Sequence, residues 1–304
     1  MLSWIQNLRR VFLFLCGHPL TSKHKLAAIG RFLRWQWHRR ISRSPLVVPF
    51  VGGSQLLLRA RSQGLTGFYY VGLPDFEEAA FALHLLRRGD GFADVGANAG
   101  AWTVMASMGA GAMVDAFEPV PEAASQLAEN VAINKSDAIV RIHPVGVGSK
   151  AGRLRFTAGH GTGNHVVTAD DCSGASGETV EVVVTTLDEI YHGRCPQLIK
   201  IDVEGWELEV LKGAHTLLRN TGLLALVVET FRHQNLSTPR LQELELLLAE
   251  HGFRPCSYHP RQRRLDNVDN APRVSDNTIY VRNVEAVQVR LSSAPPFLAV
   301  GQRI

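Results

Sequence analysis

A glycine-containing turn at residues 94–100 is the first segment whose residue types could bind a ligand. It reads Asp-Val-Gly-Ala-Asn-Ala-Gly and lies where a predicted strand ends and a predicted helix begins. Gly96 and Gly100 let the backbone turn tightly and let a ligand approach the main chain without meeting a side chain. Their G-x-x-x-G spacing differs from the G-x-G-x-x-G of dinucleotide sites and from a P-loop. Asp94 would repel a pyrophosphate but suits an ammonium group, so the turn predicts S-adenosylmethionine (SAM), which carries an amine and a sulfonium.

Glu118 supports this prediction from a second strand end. It lies 22 residues after Gly96 and follows the strand predicted over 113–117. In doubly wound folds an acid at about this distance accepts hydrogen bonds from ribose hydroxyls. A plain strand–helix turn would explain the glycines alone, but it does not explain the acid as well.

Asp202 is the first candidate for a catalytic base. It ends the predicted strand in Ile-Lys-Ile-Asp-Val-Glu-Gly (199–205), and ligands of open α/β sheets bind beyond the carboxyl ends of the strands. Methyl transfer to a hydroxyl needs an acceptor held in line with the methyl and a base within hydrogen-bond reach. His233, in the loop after the next strand, is the second candidate because imidazole titrates near neutrality. His160 and His165 are third, and their segment reads equally well as a glycine-rich hairpin.

The other charged residues near these strand ends have structural explanations. Glu204 lies near the N-terminus of the following predicted helix, where negative charge is favoured, so capping is its preferred interpretation. Lys200 is expected to face the rim of the sheet or to pair with an acid. Asp202 and Glu229 together could hold a divalent cation, but two carboxylates are a thin ligand set and a structural role explains them as well. No His-rich or Cys-rich cluster in the sequence supports a tight metal site.

Four segments resemble the FkbM-type SAM-dependent methyltransferase family. They are DVGANAGAWT, AFEPVPEAASQLAENVAIN, TTLDEI and LIKIDVEGWELEVLKGA, and they lie between residues 90 and 229. The resemblance implies a class I methyltransferase fold and transfer of a methyl group from SAM, mostly to hydroxyl oxygens of sugars, lipids or secondary metabolites. It assigns cofactor contacts to Asp94, Gly96, Asn98, Gly100 and Glu118.

The chain departs from the family pattern after its third strand. Such enzymes often place an acid there against the adenine amino group, whereas residues 145–149 (Val-Gly-Val-Gly-Ser) offer none. Ser149 or a main-chain carbonyl is the substitute that this position suggests.

Strand and helix patterns alternate from residue 75 onward. Asp75 and Glu78 form a D-x-x-E pattern that predicts a capped helix. Strands are then predicted at 91–95, 113–117, 139–143, 179–185, 197–203, 223–229, 254–258 and 278–282, and helices at 101–109, 121–134, 204–220 and 238–252. This alternation indicates an α/β, Rossmann-like, doubly wound and mostly parallel sheet, with the antiparallel last strand of a class I methyltransferase. We divide the chain into a basic N-terminal extension (1–74), a methyltransferase domain (75–283) and a loose tail (284–304); residues 261–277 are polar and show no periodicity.

The N-terminal extension carries an unusual charge pattern. Residues 1–74 hold eleven of the 32 Lys and Arg residues and no acid, so the remainder carries 21 basic and 28 acidic residues. One or two helices are predicted over 1–43, with an apolar stripe of Leu26, Ile29, Leu33 and Trp37, followed by short strands at 46–51, 55–60 and 67–71. The apolar run 11–16 is too short for a signal peptide or a membrane span. Residues 1–43 are expected either to fold over the acidic body or to lie on an anionic membrane as an amphipathic helix.

Composition leaves two alternatives to an enzyme that acts on a small molecule, saccharide or lipid-linked acceptor. The chain is 45% apolar and 20% charged, which is typical of a globular protein. Its four cysteines form no C-x-x-C pair, which favours a reducing compartment; we expect a cytoplasmic protein, peripheral at the inner membrane surface if the extension binds lipid. The pI of about 9.0 would also fit a nucleic-acid methyltransferase, since basic residues bind phosphates. However, IDVEG stands where enzymes that methylate the amino groups of bases have [DN]PP[YF]. A non-catalytic SAM-fold protein that docks to a membrane or partner is the other alternative, and the sequence leaves the oligomeric state open.

Overall fold

The computed structural model describes residues 2–42, 44–60, 64–157, 179–230, 238–268 and 276–304. Over these ranges the strands are β1 (Leu46–Pro49), β2 (Gln55–Leu58), β3 (Gly91–Val95), β4 (Met113–Phe117), β5 (Val140–His143), β6 (Gly146–Val147), β7 (Gly152–Thr157), β8 (Thr179–Thr185), β9 (Leu198–Ile201), β10 (Ala225–Glu229), β11 (Arg254–His259), β12 (Arg264–Asn267), β13 (Asn277–Val281), β14 (Leu298–Ala299) and β15 (Gln302–Arg303). The helices are α1 (Leu2–Gly17), α2 (Lys25–Ile41), α3 (Leu65–Val71), α4 (Phe76–Leu85), α5 (Ala101–Val104), α6 (Pro121–Ile133), α7 (Leu187–Ile190), α8 (Glu207–Lys212), α9 (His215–Arg219), α10 (Thr238–Glu250) and α11 (Val284–Ser292). A π-helical segment (Met105–Ala110) continues α5, and a 3-10 turn (Val51–Gly53) joins β1 to β2.

The central sheet has eight strands in the order β12-β11-β13-β10-β9-β3-β4-β5. The run from β10 through β9, β3 and β4 to β5 is parallel. β13 pairs antiparallel with β10 on one side and with β11 on the other. The sheet confirms the predicted doubly wound architecture with an antiparallel last strand.

The inner strands are apolar on both faces because helices cover both sides of the sheet. In β10, Ala225 and Val227 pack into one core, whereas Leu226 and Val228 pack into another. Alternate residues of a strand point to opposite faces, so the two cores lie on opposite sides of the sheet. The strand order reverses between β3 and β9, which is where open α/β sheets bind their ligands.

Two predicted elements differ from the structure because tertiary packing overrides the local pattern. Residues 67–71 were expected to form a strand, but they belong to helix α3, whose Tyr69 and Tyr70 share a core with α2. The helix predicted over 204–220 is instead α8 and α9, separated at Gly213, where a Cβ would lie 2.0 Å from the Gly148 carbonyl oxygen. Asp75 precedes α4 as predicted, but its side chain does not accept the capping hydrogen bond.

Residues 284–304 are folded, so the prediction of a loose tail is wrong. Helix α11 places Val287 and Leu291 in the same core as Phe81, and the Arg290 side chain donates to the Leu85 carbonyl at 2.6 Å and pairs with Asp90. β14 and β15 pair with each other, and β12 lies in the stretch that showed no periodicity. The division of the chain into three segments stays a prediction.

Helices α1 and α2 form a hairpin. One face of this hairpin, its inner face, packs on the rest of the protein. Leu15, Ala28 and Trp35 are buried in one core with residues of α3 and β2. The stripe predicted from the sequence lies on the other face of α2, where Leu26 is 86% and Trp37 is 67% exposed. Among the described residues, no helix combines the length and hydropathy that a membrane crossing requires.

Candidate active site

A cleft of about 1830 Å³ opens at the carboxyl ends of β3, β4 and β9. The turn after β3, the acid after β4 and the residues after β9 form its floor. Residues from the end of α1, from α3 and from β13 complete its walls. The cleft therefore lies at the position that the strand order predicts for a ligand.

The turn after β3 is the glycine segment singled out by the sequence. Gly96, Asn98 and Gly100 all have positive φ, at 82°, 49° and 88°. A Cβ on Gly96 would lie 1.8 Å from the Asp202 carbonyl oxygen, so only glycine allows the turn after β3 to pass this close to the chain after β9. Gly96 and Asn98 line the cleft. Gly100 does not; a Cβ there would lie 2.5 Å from a Leu127 methyl, so Gly100 serves the packing of α5 against α6.

Glu118 fastens this turn to the end of β4. Its two carboxylate oxygens accept hydrogen bonds from the backbone amides of Asn98 and Val120, each at 2.9 Å. Burial raises the pKa of Glu118 to about 7, although both amide donors oppose the shift. The carboxyl group lines the cleft and is 6% exposed, so its remaining lone pairs can receive donors from a bound molecule.

Asp94 is fully buried at the end of β3 and lines the same cleft. The Thr103 hydroxyl donates to Oδ2 at 2.6 Å, whereas Oδ1 receives no hydrogen bond from the described residues. Burial raises the pKa of Asp94, and the attraction of Lys200 partly offsets that effect. A buried carboxylate oxygen without a donor is unfavourable in a folded protein, and a ligand that brings an N–H group to Oδ1 would satisfy it.

Lys200, which is buried, forms an ion pair with the partly exposed Asp202 beside Asp94. Lys200 Nζ lies 2.8 Å from Asp202 Oδ2, and the Lys200 side chain is 3% exposed against 36% for Asp202. The ammonium also lies 5.3 Å from the centre of the Trp102 ring. Burial by itself would lower the pKa of Lys200, but the carboxylates of Asp202 and Asp94 raise it above its ordinary value. The sequence prediction that Lys200 pairs with an acid is confirmed, and the cation orients Asp202 at the edge of the cleft.

Three carboxyl groups meet at the ends of β9 and β10. Oxygen atoms of Asp202, Glu204 and Glu229 all lie within 4.8 Å of one another. Burial, followed by the charge of Asp202, raises the pKa of Glu229 to about 10, because the charged form of this carboxyl is disfavoured beside the other acids. Either a proton on Glu229 or a divalent cation would relieve the repulsion between these acids.

The capping role predicted for Glu204 is wrong, because α8 begins after Trp206 without a side-chain cap. Glu204 has a φ of 54° and lies before α8, so it is outside the helix. Glu207 accepts hydrogen bonds from the amides of Val203 and Gly205, at 3.2 and 3.0 Å, and burial raises its pKa to about 7. Glu207 therefore ties the loop after β9 to the start of α8, a contact that the sequence pattern did not single out.

Two of the remaining candidates, Ser149 and Glu229, are described by the structure and do not line the cleft. The Ser149 hydroxyl donates to Glu209 at 2.7 Å and does not line the cleft, so the suggested adenine contact has no support in its position. Glu229 lies behind Asp202 and also does not line it. His233, His160 and His165 lie outside the described residues.

His18 is a cleft residue that the sequence did not reveal. Its Nδ1 accepts from the Leu20 amide at 3.2 Å, and Nε2 lies 3.2 Å from the Pro74 carbonyl oxygen. Nε2 therefore carries the proton of a neutral ring, and burial lowers the pKa of His18. This histidine joins α1 to the segment before α4, and its distance in sequence from every glycine motif left no pattern by which to find it.

A sequence model of the Methyltransferase FkbM domain matches residues 94–255, which is more than half of the chain. The chain belongs to the FkbM methyltransferase family. The match begins at Asp94 and includes the glycine turn, Glu118 and the acids at the ends of β9 and β10. The family assignment confirms the resemblance stated from the sequence and identifies the sheet as that of a class I methyltransferase.

Solved structures of other methyltransferases are similar to this FkbM-family chain at low sequence identity. Methyltransferase FkbM from Methylobacillus flagellatus KT is 19% identical, with a TM-score of 0.44, over 71% of this chain and 52% of that one. A SAM-dependent methyltransferase from Agrobacterium tumefaciens is 13% identical, with a TM-score of 0.39, over 68% and 58%. TYW2 from M. jannaschii, solved in complex with AdoMet, is 13% identical, with a TM-score of 0.38, over 80% and 88%.

The chain thus spans little more than half the length of the first two of these structures. No curated protein matches the chain.

Proposed function

We propose that the cleft binds S-adenosylmethionine and that the protein transfers its methyl group to a hydroxyl oxygen of an acceptor. The observation that carries this proposal is the buried Asp94 Oδ1, which lines the cleft and lacks a hydrogen-bond donor among the described residues. A carboxylate in this environment selects a ligand with a positively charged N–H donor. The amine of the methionine moiety of SAM has that chemistry, and family membership points to the same molecule.

Glu118 and the glycine turn fit the rest of this molecule. Glu118 lies at the end of the strand next to β3 and lines the cleft, where its carboxylate is the group that we assign to the ribose hydroxyls. Gly96 and Asn98 expose main chain rather than bulky side chains along the floor between the two acids. When SAM is bound it supplies a methyl group already activated by a sulfonium, so the protein mainly has to position the acceptor.

Asp202 is the group that we assign to the acceptor proton. It lies at the end of β9 beside Asp94, and its partly exposed side chain lines the cleft. The hydrogen bond and ion pair with Lys200 fix the direction of the Asp202 carboxylate. A positioned base of this kind contributes a rate factor of roughly 10²–10⁴. His233 remains a second proposal for this role, on the sequence alone.

The walls of the cleft suit an acceptor that has both hydroxyl groups and apolar surface. Phe68 and Phe76 supply aromatic surface, and Asn277 and Thr278 supply amide and hydroxyl groups. The volume of about 1830 Å³ exceeds the roughly 300–1,000 Å³ of a typical single-ligand site, so two molecules can bind together. A saccharide, a lipid-linked hydroxyl or a secondary metabolite would meet these requirements.

The proposal is tested by methyl transfer from labelled SAM to separated extracts of metabolites, saccharides and lipids. We expect label in one class, and a mass increase of one methylene in its product. Asp202→Asn should lower the rate by roughly 10²–10⁴ while SAM binding persists. Absence of transfer to every class by a protein that binds SAM would remove the assignment of a hydroxyl acceptor.

Glu229→Gln in the same assay distinguishes a proton from a cation between the acids. If the raised pKa of Glu229 means that a proton lies between the acids, the neutral amide should preserve the rate within a few-fold. A rate that collapses in Glu229→Gln, and that also falls when a chelator is added to the wild type, would instead assign a divalent cation to Asp202, Glu204 and Glu229.

A further inference from the structure

Helix α2 is apolar on two opposite faces. Its inner face buries Ala28 and Trp35 against α3 and β2. Its outer face exposes Leu26, Leu33, Trp37 and Ile41, which recur at helical spacing and form one stripe, 58–86% exposed. Phe12 and Leu13 of α1 are exposed as well, at 53% and 61%. We call these six side chains the outer apolar patch.

The α1–α2 hairpin exposes cations as well as the outer apolar patch. Arg34 and Arg40 lie on either side of the α2 stripe by helical geometry, and the hairpin also exposes Arg9, Arg10, Lys23 and Lys25. Within the part of the chain that the structure describes, none of these six cations forms an ion pair. Residues 1–74 contain no acid that could neutralise them.

Hydrogen bonds and a ring contact fix the α1–α2 hairpin in an orientation that leaves the outer apolar patch facing solvent. The Arg31 guanidinium donates to the Tyr70 carbonyl through Nε and Nη2, at 2.9 and 2.6 Å, and the rings of Phe32 and Tyr70 meet edge to face at 5.4 Å. At the turn between the helices, the Thr21 hydroxyl donates to the Leu15 carbonyl at 2.6 Å. Turning the stripe inward would break these contacts and expose Trp35.

We propose that the α1–α2 hairpin docks on an anionic phospholipid bilayer and lies in the plane of its surface. Exposed Trp, Phe and Leu side chains that are flanked by Lys and Arg are what an interfacial helix presents to lipid, where the apolar groups enter the headgroup boundary and the cations meet anionic headgroups. An RNA phosphate backbone would neutralise the cations but leave the six apolar side chains in water. A twofold contact with a second copy would place the patch against itself and bring its cations together.

The same hairpin also reaches the cleft. Phe14, which directly follows Leu13 in α1, lines the cleft while it is 39% exposed. Its ring lies 5.8 Å from that of His18, which lies 6.4 Å from Phe76, and both of these also line the cleft. If the proposed methyl transfer holds, on which this step alone rests, the geometry favours an acceptor attached to a lipid.

Sedimentation of the full chain with lipid vesicles tests the docking surface without reference to catalysis. We expect binding to vesicles of phosphatidylcholine and phosphatidylglycerol and at least roughly tenfold weaker binding to phosphatidylcholine alone. Leu33→Ser/Trp37→Ser should weaken binding to the anionic vesicles by roughly tenfold or more, and Arg34→Gln/Arg40→Gln should do the same. Val289→Ser removes an equally exposed apolar side chain (71%) from α11 and should leave binding unchanged.

Three results would overturn the docking surface. One is wild-type protein that stays in the supernatant with anionic vesicles. Another is binding that Arg34→Gln/Arg40→Gln weakens but Leu33→Ser/Trp37→Ser does not, because that pattern describes charge attraction without insertion and fits RNA equally well. The third is a dimer in sedimentation equilibrium that Leu33→Ser/Trp37→Ser dissociates. Unchanged thermal unfolding of each variant shows that the hairpin is still folded, and SAM binding measured separately keeps a failed cleft apart from a failed docking surface.

Discussion

The floor of the cleft and the outer face of the α1–α2 hairpin use charge in opposite ways. In the cleft, Asp94, Lys200 and Asp202 form a largely buried group in which the neighbours of each charge change its pKa. On the hairpin, the exposed cations form no ion pair within the described residues, and large apolar side chains lie in solvent between them. Each charge in the cleft is therefore set by contacts with particular neighbours, whereas the cations on the hairpin contribute together to one positively charged surface.

Lys200→Met removes the positive charge from the buried group in the cleft. We expect this substitution to lower the free energy of unfolding more than any other that we propose. Removing the ammonium leaves Asp94 buried and Asp202 facing it without a counter-charge. Loss of one partner from a buried ion pair costs about 3–5 kcal/mol of unfolding free energy. Chemical denaturation measures this value.

Lys212→Met is the matched control on the surface. Lys212 pairs with Glu243 at 2.9 Å, but its side chain is 39% exposed, and an exposed pair contributes about 0–1 kcal/mol. Equal losses in the two variants would show that burial does not set the strength of the Lys200 pair.

Trp35→Ala and Trp37→Ala compare the two faces of α2 directly. Trp35 is 2% exposed and Trp37 is 67% exposed, two residues apart on one helix. Removing the buried indole should lower the unfolding free energy by about 3 kcal/mol, and removing the exposed one should change it by less than about 0.5 kcal/mol. Thermal unfolding of both variants tests this, and a large loss in Trp37→Ala would mean that the outer stripe packs against the protein itself.

The affinity for SAM should rise with pH, and Glu118 should account for much of the rise. Burial raises the pKa of Glu118 to about 7 in the free protein, so the group is largely protonated below that pH. The ionised carboxylate accepts stronger hydrogen bonds from ribose hydroxyls than the protonated form does. Binding then releases a proton below pH 7, and affinity increases by up to about tenfold per pH unit until it levels off near pH 7. Titration calorimetry at several pH values measures the slope.

Glu118→Gln supplies the comparison for that slope. The amide cannot ionise, so the dependence should flatten to the part contributed by Asp94, whose pKa is also raised by burial. An affinity that falls as pH rises, or a slope that Glu118→Gln leaves unchanged, would contradict the role given to Glu118.

The main sheet could be predicted from the sequence because its strands are short apolar runs bounded by turns. Gly91–Val95 and Met113–Phe117 form strands of this sheet as predicted, and the acids at the ends of β3, β4 and β9 meet in one cleft because parallel strands share an edge. Thr179–Thr185 is also a strand as predicted, but it lies in a separate three-stranded sheet with β6 and β7. The sequence also predicted that Lys200 either faces the rim of the sheet or pairs with an acid, and it pairs with Asp202. These are local patterns that the fold brings together without altering.

The errors occur where contacts distant in sequence decide the outcome. The aromatic run of α3 has strand propensity, but its contact with α2 makes it helical. The outer stripe of α2 has the periodicity of a buried face, and periodicity does not tell which of two apolar faces meets the core. Residues 284–304 lack a strong pattern and fold because Arg290 and Leu291 find partners near α4 and in the core.

Calorimetric titration of SAM into the wild type, Asp94→Asn and Asp137→Asn tests the central claim most directly. Asp137 is an exposed acid outside the cleft and serves as the control for loss of one negative charge. We predict that SAM binds the wild type and Asp137→Asn equally, and that Asp94→Asn weakens binding by about tenfold or more, since a charge-assisted hydrogen bond to the buried Oδ1 is lost. Wild-type protein that does not bind SAM, or an Asp94→Asn variant that binds it as tightly as the wild type, would contradict the account.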